Sequence, residues 1–164
     1  MDTGAYAFLL FSGPEHLVPA IDAARALPAV RSWHAVDGHY HLVLTLAEAD
    51  DAVRAALEAL PGVAELLYCP VETEVTGGFT PDPELCHAFL TMEIDEARRA
   101  EVGQALQDMQ PIRFGALAFG ACGCVAALSG PSFEAVDAVV EKHIRPIDGV
   151  LRVKRDWIID LTQL

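Results

Sequence analysis

Two short stretches carry the side chains best suited to chemistry: His39-Tyr40-His41 and Cys122-Gly123-Cys124. Residues two apart on a β-strand project to the same face. Two imidazoles and two thiolates together make a tetrahedral zinc set. A shift of 83 residues would superimpose His39 and His41 on Cys122 and Cys124. The preceding glycines, Gly38 and Gly120, are instead 82 residues apart, and that register places Cys122 on Tyr40. The cysteines then continue with Ala126 and Leu128 as small buried hydrophobes. We adopt the glycine register. It makes the two stretches equivalent third strands, with Tyr40, Leu42, Leu44 and Leu46 under helices and His39 and His41 on the opposite face. The candidate ligand contacts are Gly38, His39, Tyr40, His41, Gly120 and Gly123, and neither a metal nor a cofactor is expected. His34 is placed near the same surface, His87 at the start of a strand, His16 in a first helical turn and His143 on an apolar stripe.

A repeat supplies the elements that hold these strands. Ala7-Phe8-Leu9 recurs as Ala88-Phe89-Leu90, and Leu60-Pro61-Gly62-Val63 as Ile147-Asp148-Gly149-Val150. Each copy reads strand, helix, strand, strand, helix, strand. In the first, strands over 5–11, 30–36, 39–46 and 65–74 enclose helical stripes at Leu17, Ile21, Ala24, Leu27 and at Val53, Leu57, Leu60. Ser12 and Glu15 have capping-box spacing and Pro14 suits a first turn. Asp37-Gly38 reads as the hairpin turn. In the second, strands over 86–94, 112–119, 121–128 and 150–161 alternate with stripes at Val102, Ala105, Leu106, Met109 and at Phe133, Val136, Val139, Val140, His143. Asp95 is the expected cap of the first, and Ser129-Gly130-Pro131 restates the Ser-Gly-Pro helix start ahead of the second. Gly77, Gly78, Pro81 and Pro83 mark a linker.

The expected fold class is α+β: two tandem ferredoxin-like βαββαβ repeats with antiparallel sheets. The expected domains are 1–74 and 86–164 around the linker 75–85. Both sheet faces hold apolar residues, so the copies are expected to pack into an intramolecular pseudo-dimer of the dimeric α/β-barrel type.

Bulk properties narrow the function. The chain has 164 residues, enough for a substantial core. It carries 24 acidic against 11 basic side chains, a formal net charge of −13. Nucleic-acid affinity comes largely from phosphate neutralisation, so direct binding to DNA or RNA is not expected. The short run Ala5–Phe11 is neither a signal peptide nor a membrane span. Four cysteines without a Cys-x-x-Cys pair suggest a reducing cytoplasm. H-E-x-x-H, G-x-S-x-G, the P-loop and G-x-G-x-x-G are all missing, and no catalytic residue is assigned.

The segments AYAFLLF, ARALPAVRSWHAVDGHYHLVL and ALEALPGVAELLYCPVETE together resemble the ligand-binding (RAM) domain of Lrp/AsnC-type regulators. Gly38 matches that family's hairpin glycine and Tyr40 its aromatic, while His41 stands where an acid is usual. Leu60-Pro61-Gly62-Val63 matches the end of the second helix. Residues 86–161 resemble the domain more loosely. The resemblance implies a small effector, often an amino acid, held near the hairpin at an interface, and a ligand-binding or regulatory module without the family's helix-turn-helix. A small enzyme of the dimeric α/β-barrel type with a histidine-lined cleft and a protein-interaction scaffold stand as alternatives. A homo-oligomer or a separate DNA-binding partner would both be compatible.

Overall fold

The computed structural model describes residues 3–76, 82–109, 112–118 and 123–159, with side chains left out of account at 73–76 and 112–118. Among the described residues are eight strands and four α-helices. They run β1 (Ala5–Phe11), α1 (Leu17–Arg25), β2 (Val30–Gly38), β3 (Leu42–Leu46), α2 (Asp51–Glu58), β4 (Val63–Thr76), β5 (Cys86–Ile94), α3 (Arg99–Gln107), β6 (Ile112–Ala118), β7 (Cys124–Gly130), α4 (Phe133–Val139) and β8 (Val150–Ile158). The order is βαββαβ twice, as the sequence pattern anticipates. The chain divides into two compact units. One runs to Val71 and includes Ile159; the other is Glu72–Ile158.

In the first unit β1 lies between β3 and β4, and β2 pairs with β3, all antiparallel. Alternate residues of these strands face α1 and α2. Ala5, Ala7, Leu9, Phe11, Leu42, Leu44 and Leu46 form one apolar cluster with Ala20, Ile21, Ala24 and Leu57. In the second unit β5 lies between β7 and β8, and β6 pairs with β7, again antiparallel. Ala88, Leu90, Met92, Ile94, Cys124, Ala126 and Leu128 pack with Val102, Leu106, Val136, Val140 and Ile144.

The ladders define the repeat more sharply than the sequence does. Ala5 pairs with Leu46, and Ala88 with Leu128. Leu9 pairs with Leu42, and Met92 with Cys124. The first strands therefore correspond at a shift of 83 residues, not the 81 suggested by the Ala-Phe-Leu match. The third strands correspond at the glycine register of 82. Register shifts recur at matching points, Leu10/Phe11 with Glu93/Ile94 and Val30/Ser32 with Ile112/Phe114. A bulge twists and bends its strand, so its duplication preserves the curvature of both sheets.

Helix starts differ from the sequence reading in two places. The chain enters the first 3-10 turn through Gly13 with no side-chain cap, so Ser12 and Glu15 form no capping box; Pro14 does occupy the first turn. Ser129 does not start α4 either, because Ser132 accepts from the Ala135 amide at 3.1 Å. Its counterpart in the first unit is Asp50, which accepts from the Ala52 amide at 2.7 Å. Asp95 caps its turn as expected, on the Ala97 amide at 3.0 Å. A π-turn over Val140–Ile144 follows α4 and adds a residue to the local period. Val136, Val140 and Ile144 stay inward as a result, while His143 and Phe133 are exposed.

Cys69 is fully buried and disulfide-bonded, and Cys86 and Cys124 are free thiols. A disulfide removes the cysteine-based argument for a reducing compartment. Among the described residues no helix is long and apolar enough to cross a membrane.

Candidate functional site

The candidate residues of the first unit sit where β2 hands over to β3. The hairpin is longer than the Asp37-Gly38 turn suggests. β2 continues through Gly38, whose backbone is extended, and the chain reverses over residues 39–41. The ladder holds the ends of this reversal. The His41 amide donates to the Leu9 carbonyl at 2.9 Å, and the Val36 amide donates to the His41 carbonyl at 2.9 Å.

Because residues 39–41 lie outside the regular strand, their side chains do not keep its alternation. Tyr40 is fully buried, yet it is not among the helix-facing leucines. Its ring lies 5.5 Å from that of Phe8, on the face of β1 away from the helices. Its hydroxyl donates to Glu65 Oε1 at 3.4 Å. His39 meets the Tyr40 ring edge-on with centroids 4.6 Å apart, and its Nε2 lies 3.6 Å from Glu65 Oε2. One carboxylate, from β4, thus spans a phenol and an imidazole. His41 turns the other way. Its ring stacks on Phe11 at 6.1 Å, and its Nδ1 accepts the Phe11 amide at 3.0 Å. An amide can only donate, so in this arrangement His41 is neutral with its proton on Nε2. His39 and Tyr40 are therefore brought together, and His41 is separated from them by the swap of faces.

Glu65 is the residue the sequence reading missed. Alternation along β4 puts it on the face opposite Glu72, which pairs instead with Arg99 of α3, but does not say what it meets there. Only the pairing of Leu10 with Glu65 carries that carboxylate to the hairpin.

The equivalent region of the second unit is partly outside the described residues, and Gly120 and Cys122 fall there. Gly123 is described. It corresponds to His41, adopts φ +62°, and a Cβ on it would meet the Met92 carbonyl. The backbone thus fills the space that a side chain would take. Cys124 lies in the helix-side core, and burial pushes its thiol from 9.0 up to about 12, with Arg99 opposing the shift. Among the described residues no three of His, Cys, Asp or Glu assemble as a metal set.

The same sheet carries a second polar group at its other end. His87 and Ser129 face each other across β5 and β7, both almost fully buried, with His87 Nδ1 2.5 Å from Ser129 Oγ. His87 Nε2 lies 2.6 Å from the Asp82 carbonyl. Within the first unit an open cleft of about 310 Å³ lies at the far end of β3, lined by Leu27, Pro28, Ala29, Ala47, Glu48, Asp50 and Val53. It includes none of the candidate ligand contacts.

No family model matches the chain, and no curated protein matches its sequence. Solved structures do. The siroheme decarboxylase NirDL aligns over 97% of this chain and 71% of its own, at 14% identity and a TM-score of 0.73. The chain shares its fold with NirDL. A second NirDL structure, in co-complex with an iron-uroporphyrin III analogue, aligns with a TM-score of 0.72. An anthrone oxidase-like protein aligns over 97% of this chain and 92% of its own, at 12% identity and a TM-score of 0.57. The fold is α+β, of the ferredoxin-like, dimeric α/β-barrel class, as the repeated pattern anticipates.

Proposed function

We propose that the chain is a small-molecule-binding module of Lrp/AsnC-like kind, with its ligand held by Gly38, His39, Tyr40 and Glu65. The observation that carries this reading is the single carboxylate shared between Tyr40 and His39 over a buried aromatic pair. The resemblance noted above leaves the hairpin without its acid, and Glu65 supplies one from the neighbouring strand. A carboxylate flanked by a phenol and an imidazole accepts hydrogen bonds from an amine or amide. Gly120 and Gly123 belong to the corresponding hairpin of the second repeat, where the described backbone offers no side chain. The expected mode is therefore one effector per chain, not two. Regulation through a separate DNA-binding partner and the domain limits 1–74 and 86–164 complete this proposal.

A thermal-shift screen against amino acids and small amines tests it. The expected result is a hit that Glu65→Gln and His39→Ala both weaken at least tenfold. A hit untouched by either variant, or no hit across the set, overturns the assignment.

A porphyrin-binding enzyme is the second reading, favoured by the likeness to NirDL over nearly the whole chain. A porphyrin iron would need an imidazole on a helix-free sheet face. His34 of β2, half-buried and paired with Val43 of β3, lies on such a face. Titration with iron-uroporphyrin discriminates: a shifted Soret band lost in His34→Ala supports the enzyme reading, and an unchanged spectrum removes it.

A further inference from the structure

The Asp82–His87–Ser129 group belongs to the second unit, uses none of the proposed ligand residues and has the bonding order of an activated nucleophile. The Asp82 carbonyl only accepts, so His87 Nε2 carries the proton, at 2.6 Å. In the neutral ring Nδ1 is then an acceptor, and the Ser129 hydroxyl must donate to it, at 2.5 Å. Nucleophile, base and orienting group are thus arranged in sequence, the relation that marks nucleophilic catalysis on unrelated folds. Both side chains lie on the helix-free face of the second unit's sheet, since Phe89 and Thr91 alternate with the core residues Ala88, Leu90 and Met92. His87 and Ser129 are 7% and 5% exposed, which restricts access to small groups. The first repeat has no counterpart, because Gly4 and Ala47 occupy the equivalent positions.

We propose that Ser129 is an acylatable nucleophile, with His87 as its general base and the Asp82 carbonyl holding the base in the required tautomer, acting on small acyl esters. Ser129 Oγ bonds to the acyl carbon as its proton passes to His87 Nδ1. The ester C–O bond breaks, and the leaving alkoxide takes that proton and departs as the alcohol. Water then attacks the acyl–serine ester and gives a proton to His87. The acyl–Oγ bond breaks, Oγ recovers the proton, and the carboxylic acid leaves. No oxidant, reductant or metal enters this balance.

The test is p-nitrophenyl acetate on the full chain, read as the nitrophenolate burst and by peptide mapping of the acetylated protein. The expected result is acetyl on Ser129, about one per chain. His87→Gln should slow its formation roughly 100-fold, the usual scale of a general base. Ser132→Ala, which alters only the α4 cap, should keep the burst. Acetylation confined to other residues, or a Ser129 rate unchanged in His87→Gln, overturns the proposal. The wild-type map decides even if Ser129→Ala fails to fold.

Discussion

The two repeats share a backbone and disagree about where to place polar groups. In the first, the sheet end at β1 and β3 is closed by Gly4, whose amide donates to the Leu46 carbonyl at 2.9 Å, and by Ala47. In the second, the same positions hold the hydrogen-bonded His87 and Ser129. At the hairpin end the roles reverse. The first repeat carries His39, Tyr40 and His41 there, and the second has Gly123 folded against a carbonyl. Duplication thus keeps the helix-side core as scaffold and lets the helix-free face diverge, one end per copy. Chemistry in this fold follows loops and strand ends rather than the conserved architecture.

The largest expected effect sharpens the equivalence. Leu46→Ala and Leu128→Ala remove fully buried side chains at matching ladder positions. Each should cost about 2–5 kcal/mol in chemical denaturation. A cost near zero at either position would break the correspondence.

The next separates the third strands by pH. Cys124 occupies the place of Leu42, and its thiol is held up to about 12 against 9.0 when unfolded. The folded chain keeps a proton that the unfolded chain loses, so stability should fall as pH rises from about 9 towards 12, by up to about 1.4 kcal/mol per pH unit. Below pH 9 this contribution is constant. Comparison of wild type with Cys124→Ala isolates it, and identical slopes would refute it.

Gly123→Ala should cost about 1–3 kcal/mol, since an alanine there meets both an unfavourable φ and the Met92 carbonyl. His41→Gly, the reciprocal exchange, should cost about 1 kcal/mol through the lost Phe11 hydrogen bond. Thermal melts of the pair give the ordering. The smallest effect of this series belongs to the caps: Asp50→Ala and Ser132→Ala should each cost about 1 kcal/mol or less. Equal values would show that two different side chains do one job at one position.

Much of this fold is legible in the sequence because alternation and helical spacing report directly on buried faces. Leu42, Leu44 and Leu46, with Cys124, Ala126 and Leu128, face the helices as that pattern requires. The first-strand register is misread because Ala-Phe-Leu recurs two residues out of structural step, and short apolar words are cheap to repeat by chance. Tyr40 and His41 change faces because the strand ends before them, and alternation is a property of paired backbone. His143 leaves the apolar stripe because a π-turn alters the period. Glu65, Asp82 and Ser129 stay hidden for a different reason. Each acquires its role from a neighbour distant in sequence, and no local pattern records that pairing.

Cys124 also gives the molecule a built-in clock. A thiolate reacts with alkylating agents and a protonated thiol scarcely does. With its proton held up to about 12 and its sulfur buried in the core of the second unit, Cys124 can be modified only while that core stands open. Cys86, half-buried at the start of β5, is far less shielded. The ratio of their labelling rates by an alkylating agent therefore measures how often the second unit opens, without any engineered residue, and a ligand that tightens this unit would register as a slower clock.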